Sequence, residues 1–213
     1  MSTQLIYIAR HGLTLANEGQ YVQDASDPLS ERGHRQAMRL SERAKHLEFD
    51  RLLSSDMLRA QETAEYIARA TGHVIVAEPL VREVRRPSAL HGTMLRSPAH
   101  QALLAEERAH FHDPSWRAGD GENFADLSAR ALSALERFES FGAETLFVVS
   151  HGHFIRALIA TVLMERELTP EVWRHISRTI RTHNTGITIL SRATEANHWT
   201  LVSSNDHAHF ADD

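Results

Sequence analysis

ETLFVVSHGHFIRAL, residues 144–158, reads as a strand that runs without a break into a helix. The segment up to Ser150 is continuously apolar, the pattern of a central strand buried on both faces of a sheet. His151 and Gly152 follow at once, and the helical periodicity of residues 154–164 begins two residues later. The same arrangement opens the chain. In QLIYIARHGLTLANEG, residues 4–19, an apolar run over 5–9 stops at Arg10, His11 and Gly12. Two buried strands thus end in cations or titratable rings followed by glycine.

Outward from these strands the chain alternates. A polar stretch over 14–27 precedes a helix starting near Ser30, whose Ala37, Leu40, Ala44 and Leu47 fall on one face. FDRLLSSD, residues 49–56, reads as a short strand with turn chemistry, in which Ser55 or Asp56 is placed to cap a second helix. Ala60, Ala64, Ile67 and Ala68 form the buried stripe of that helix, Gly72 ends it, and HVIVAEP over 73–79 supplies a third strand. This β-α-β-α-β rhythm predicts an α/β fold, a three-layer α/β/α sandwich around a mixed, mostly parallel sheet. Between 85 and 120 the rhythm loosens. Pro87, Pro98 and Pro114 punctuate a segment with one helical piece at 99–111, so residues 85–121 are expected to form a small helical insertion over the active site. A long helix with Phe124, Leu127, Ala131, Leu135 and Phe138 on one face follows, and TGITIL (185–190) and HWTLVS (198–203) alternate as strands. The whole, 1–213, is expected to be a single domain.

Composition narrows the function. The chain has 213 residues, 42% hydrophobic and 24% charged, with a formal net charge of −5, which argues against a nucleic-acid partner. Cysteine is absent, so thiolate metal sites and a Cys nucleophile are excluded. No basic leader precedes a long apolar core, and ALIATVLM (157–164) is far short of the roughly 20 residues that span a bilayer. A cytoplasmic protein with no membrane partner is the expectation. Lys45 is the only lysine and histidine is abundant, so a single Arg or His carries little information; only combinations at the ends of strands or the starts of helices do.

Ligands of open α/β sheets bind beyond the carboxyl ends of the strands. Arg10 and His11 leave one strand, Arg59 falls in the first turn of the helix after another, and His151 and Gly152 leave the third. Two guanidiniums, two imidazoles and the positive ends of helices suit a phosphoryl group. An imidazole can attack phosphorus while a second stabilises the growing charge, and a carboxylic acid must protonate the leaving oxygen. Glu83 in PLVREVRRP is placed for that last task.

The motifs RHGLTLANEG, DPLSERGHRQA, SSDMLRAQETA, LVREV, GENFADLSAR and VVSHGHFIRAL cover most of the chain. In this order they resemble the histidine phosphatase superfamily, in the branch that includes cofactor-dependent phosphoglycerate mutases. The resemblance implies that His11 becomes phosphohistidine, that Arg10, Arg59 and His151 form the phosphate pocket, and that Glu83 donates the proton. It implies further that Asn17 helps hold the phosphate and that Gly152 adds a backbone N–H. The chain departs from many members at Leu13, at RRPSALHG (85–92) and at GEN (121–123), and it lacks the longer insertion of the mutases. Water is therefore the expected acceptor, and a phosphomonoesterase acting on a small phosphorylated substrate, with no metal and no cofactor, is the expected activity.

Plainer readings compete residue by residue. Arg59 could pair with Glu62 or Glu65, Glu83 with Arg82, Arg85 or Arg86, and Asn17 could serve a turn. Arg85 and Arg86 read either as a contact to a second anionic group or as a solvated run. Gly12 is expected to leave room for the backbone to approach the phosphate, and His207 and His209 to face solvent. Three rival functions stand beside the phosphatase: mutase-type transfer, non-catalytic binding of a phospho-ligand, and a metal hydrolase using His151 and His153. The last would set Arg10 and Arg59 against the cation.

Overall fold

A computed structural model describes residues 3–142, 145–193, 195–196 and 198–210. Glu144, the first residue of the run quoted above, lies outside them. Six strands form one sheet: β1 (Thr3–Arg10), β2 (Arg51–Ser54), β3 (Ile75–Ala77), β4 (Thr145–Ser150), β5 (Ile187–Ala193) and β6 (Thr200–Asp206). Their spatial order is β3-β2-β4-β1-β5-β6, with β4 central. The pairings β1–β4, β2–β4 and β2–β3 are parallel, whereas β5 and β6 return antiparallel, so the sheet is mixed as expected.

The period-2 alternation of strands explains the layers. Ile6, Ile8, Leu146 and Val148 face helices α5 (Phe124–Ser140) and α6 (Gly152–Met164). Ala9, Phe147 and Val149 face α2 (Glu31–Ala44) and α3 (Leu58–Thr71) on the other side. Leu146 to Val149 are all fully buried, which is why β4 shows no polar face in the sequence. The remaining helices are α1 (Leu15–Gly19), α4 (Pro98–Ala109) and α7 (Pro170–Thr179). Among the described residues no helix is long and apolar enough to cross a membrane.

Caps set the helix boundaries where the sequence supplies them. Ser30 accepts from the Gly33 N–H at the start of α2, and Asn123 with Asp126 builds a reciprocal capping box at α5. Gly72 ends α3 in the left-handed conformation, at φ 79°. One expectation fails here. Neither Ser55 nor Asp56 caps α3, whose N-cap is Met57 without a side-chain bond. Ser55 is still tied to the sheet through its N–H to the Val149 carbonyl, and Asp56 pairs with Arg82. At the amino end of α3 the Leu58 N–H donates to the Ala25 carbonyl (2.9 Å).

Candidate active site

The register of β1 on β4 places Arg10 opposite Ser150, so His11 and His151 leave the sheet together. The His11 N–H donates to the Ser150 carbonyl (2.9 Å), which extends the parallel ladder by one residue beyond β1. The two imidazole centroids are 5.0 Å apart.

The hydrogen bonds of His11 define its tautomer. Nδ1 lies 2.6 Å from the Gly12 carbonyl oxygen, which can only accept, so Nδ1 carries the proton and Nε2 keeps its lone pair. That lone pair accepts from Arg59 Nε at 3.3 Å. The ring is nearly inaccessible, at 1% exposure. Burial first, then the charge of Arg59, holds its pKa well below the ordinary imidazole value, so the ring is neutral at pH 7. His151 is held down by burial and Arg59 in the same way. Its Nε2 meets Ser55 Oγ at 2.8 Å, while Nδ1 is buried without a partner among the described residues.

The two arginines are held by main-chain oxygens, not carboxylates. Arg10 Nη1 donates to the Thr182 carbonyl (2.8 Å) and Arg59 Nη1 to the Asp24 carbonyl (2.7 Å). Arg10 Nε is buried with no partner among the described residues. Buried polar groups of this kind are costly unless a ligand completes them. Arg59 sits in the uncapped first turn of α3, and neither Glu62 nor Glu65 pairs with it: Glu62 accepts from the Leu29 N–H and Glu65 pairs with Arg69.

Glu83 stands at the amino end of α6. Its carboxylate accepts the N–H groups of Val84 (3.0 Å), Phe154 (3.1 Å) and His153 (3.3 Å). Burial works to raise its pKa, but the contacts from His153 and Val84 and the nearby His151 outweigh it, and the group lies well below the usual carboxylate range. It pairs with none of Arg82, Arg85 or Arg86. Arg82 binds Asp56, Arg85 reaches the Asp120 carbonyl, and Arg86 faces Glu107.

Arg10, Arg59, Asn17, Glu83 and Gly152 line a cavity of about 500 Å³; His11 and His151 are not among the residues that line it, and His11 connects to it through Arg59, which donates to Nε2. The 85–121 segment adds Arg85, Arg86, His91, Leu95 and His100 to its wall. Asn17 does not cap a turn. Thr14 caps α1 by accepting from the Asn17 N–H, and the Asn17 side-chain oxygen is buried with no partner among the described residues. A Cβ on Gly152 would lie 3.3 Å from Arg10 Nε, so this glycine lets Arg10 cross the start of α6.

Gly12 also serves a packing purpose that the sequence did not show. A Cβ there would come within 2.6 Å of the Gly33 carbonyl oxygen, and one on Gly33 would collide with the Leu13 carbonyl. The missing side chain admits helix α2. The metal reading also changes. His151 turns to Ser55 while His153 Nδ1 faces Glu83 at 3.7 Å, and no group of three metal-ligating side chains occurs among the described residues. His207 is exposed, but His209 is half-buried between Arg43 and Thr185, because residues 208–210 pack against α2.

Sequence reasoning missed Asn184, Thr182 and Asp24. Asn184 Nδ2 donates to the His11 carbonyl at 2.9 Å; Thr182 and Asp24 hold the two arginines through backbone oxygens, which no side-chain pattern reports, and Thr182 Oγ1 also donates to the Gly152 carbonyl at 3.4 Å.

Residues 6–207 match the model of the histidine phosphatase superfamily (branch 1). The chain belongs to that family. It is 34% identical over 167 residues, 74% of each chain, to a probable phosphoglycerate mutase GpmB of Cronobacter sakazakii. Over 213 residues, 96% of this chain and 94% of the relative, it is 29% identical to a probable GpmB of Yersinia pestis. Among solved structures, mycobacterial glucosyl-3-phosphoglycerate phosphatase in complex with VO3 superposes with a TM-score of 0.77 at 26% identity. That match covers 95% of this chain and 99% of the other. YhfR of Bacillus stearothermophilus shares the fold, with a TM-score of 0.80 over 97% of this chain and 98% of its own.

Proposed function

We propose that this histidine phosphatase-family chain is a phosphomonoesterase that works through a phosphohistidine on His11. The observation that carries the reading is the tautomer of His11: Nδ1 is fixed on the Gly12 carbonyl, and the Nε2 lone pair points at the Arg59 guanidinium. A phosphoryl group arriving there replaces the imidazole as Arg59's partner and takes the free Nε of Arg10 and Nδ1 of His151. Asn17 and the amino end of α6 at Gly152 complete the pocket.

In the first step Nε2 of His11 forms a bond to phosphorus as the ester P–O bond breaks. Glu83 protonates the departing alkoxide, and the alcohol leaves. In the second step a water oxygen attacks phosphorus as Glu83 takes its proton, the P–N bond breaks with its electron pair returning to Nε2 of His11, and phosphate departs. Glu83 is ionised in the free site, so its proton depends on the substrate. A phosphate dianion at the cavity mouth opposes the surrounding positive charge and draws a proton onto the carboxylate. The 85–121 segment serves as the cap of this single domain, and no metal or cofactor takes part.

Hydrolysis of an aryl phosphate in excess chelator, by the wild type and by His11→Ala, tests the reading. Activity that persists with chelator and vanishes in the variant supports it. Activity lost to the chelator, or stoichiometric binding without turnover, overturns it. The names of the GpmB relatives favour a second reading, transfer between phosphoglycerates. Interconversion of 2- and 3-phosphoglycerate that outpaces phosphate release would establish it instead.

A further inference from the structure

Beside the phosphate cavity lies a second chamber of about 390 Å³. Val84, Arg86, Glu122 and His153 form walls of both, so the two spaces share one partition. The phosphoryl chemistry derived above makes no use of this chamber, and its lining is of another kind. Leu104, Phe111, Trp116, Leu127 and Trp173 surround it, drawn from α4, the 110–118 stretch, α5 and α7. Only Leu127 is fully buried; the other four retain apolar surface that the protein itself does not cover.

The geometry favours a flat ring. Trp116 stacks on His110 with centroids 4.7 Å apart and planes inclined by 11°, which gives one planar wall. Opposite in origin, α7 brings Arg174 over the Phe111 ring at 3.9 Å, and Arg178 lines the same chamber one turn later. The charges on the partition are already matched, Arg86 by Glu107 and Glu122 by a two-pronged contact from Arg130. The partition itself therefore offers an anionic group little free charge; beyond it Arg108, Arg174 and Arg178 line the chamber among the aromatic side chains, so a ring finds both apolar and cationic neighbours there.

Resting on the phosphatase reading, we infer that this chamber receives the alcohol part of the substrate, and that this part carries an aromatic ring joined by a short linker to the ester oxygen. Phosphate binds in the first cavity, the linker crosses the partition at Val84 and His153, and the ring lies among Trp116, Phe111 and Trp173.

Binding and turnover separate the two claims. Naphthylalkyl phosphonates with linkers of one to four methylenes, which cannot be hydrolysed, are compared by calorimetry with methyl phosphonate and n-hexyl phosphonate. The best naphthyl compound is expected to bind at least about 10-fold more tightly than methyl phosphonate, from the apolar area that a ring buries. Leu104→Trp, which fills the chamber, and Trp116→Ala, which removes a wall, are each expected to abolish most of that difference while leaving methyl phosphonate binding unchanged. Equal affinity for the naphthyl and methyl compounds would overturn the inference. A hexyl compound as tight as the naphthyl would overturn the aromatic assignment. Ring-selective binding without hydrolysis of the matching phosphate esters would uphold the chamber and sink the phosphatase, while hydrolysis with no ring preference would do the reverse.

Discussion

Arg10 on β1 and Ser150 on β4 face each other in parallel register, and the site follows from that pairing. Each strand is one residue short of its histidine, so His11 and His151 emerge side by side, 5.0 Å between centroids. Only His11 has a nitrogen whose lone pair is presented by a fixed tautomer. The two rings should therefore respond differently to removal. His11→Ala is expected to abolish turnover, with no trapped phosphoenzyme. His151→Ala is expected to lower kcat by roughly 10²–10³, the loss typical of one charge-stabilising donor, while phosphoenzyme still forms. Acid-labile phosphate on protein quenched during turnover distinguishes them.

Glu83 is bound by three N–H groups near the start of α6, a setting that favours its ionised form until a substrate dianion arrives. If it is the proton donor, as proposed above, its contribution depends on how badly the leaving group needs a proton. Glu83→Gln is expected to slow release of an alkyl alcohol by roughly 10²–10⁴ yet to slow release of p-nitrophenolate by far less. Rates for a series of leaving groups measure this directly. A uniform loss across the series would remove Glu83 from the proton-donor role.

The parts of this site legible in the sequence are those where chemistry and periodicity coincide. β4 shows as an unbroken apolar run because both its faces are covered, and His151 is marked by following that run directly. Arg59 stood out because a cation in a first helical turn opposes the helix dipole unless an anion is near. Asn184 gave no such signal. It sits in a loop before β5 and reaches back across 173 positions to the His11 carbonyl, a contact set by the antiparallel return of β5 along β1. Helix α7 was readable in principle from Thr169 and Pro170, a cap followed by a proline suited to the first turn, but its surroundings carry no strand to frame it. The packing role of Gly12 gave no signal either, since the neighbour it accommodates lies 21 positions away in α2.

That contact between Gly12 and Gly33 yields a stability prediction. Each glycine faces main chain of the other's segment, which cannot swing aside as a side-chain tip would. Gly33→Ala is expected to lower the unfolding free energy by about 3 kcal/mol, the upper part of the range for overpacking a tight site. Because the displaced atoms belong to the loop carrying His11 and Gly12, activity should fall in the fraction that still folds. Urea denaturation followed by circular dichroism checks the first point. Gly72→Ala, where nothing lies within 4 Å but φ is 79°, serves as the comparison, with a smaller loss arising from backbone strain alone.

Acid sensitivity follows from the same buried rings. His11 and His151 have folded-state pKa values well below the ordinary imidazole value, in each case because burial and then Arg59 disfavour the charged form. The unfolded chain, titrating near 6.5, binds more protons than the folded one as pH falls below that value. Stability therefore decreases on going from pH 7 toward pH 5, and the two rings contribute in the same direction. Glu83 adds its share at lower pH. Its folded pKa lies well below the usual carboxylate range, so the stability it supplies is present above about pH 4.3 and is lost as pH falls toward its folded value. The expected profile is a thermal midpoint that drops below pH 6.5 and then more steeply below pH 4.3. In His11→Gln combined with His151→Gln the upper part of the drop should shrink, leaving the share of His100, His153 and His209, whose pKa values burial also lowers, and the lower part should remain. Inorganic phosphate should raise the wild-type midpoint more below about pH 6.5 than at pH 7, because an anion between Arg10 and Arg59 offsets the arginine charge that, after burial, opposes protonation of the rings. A wild-type midpoint that stays level between pH 7 and pH 5 would show that the two rings are not held neutral by burial.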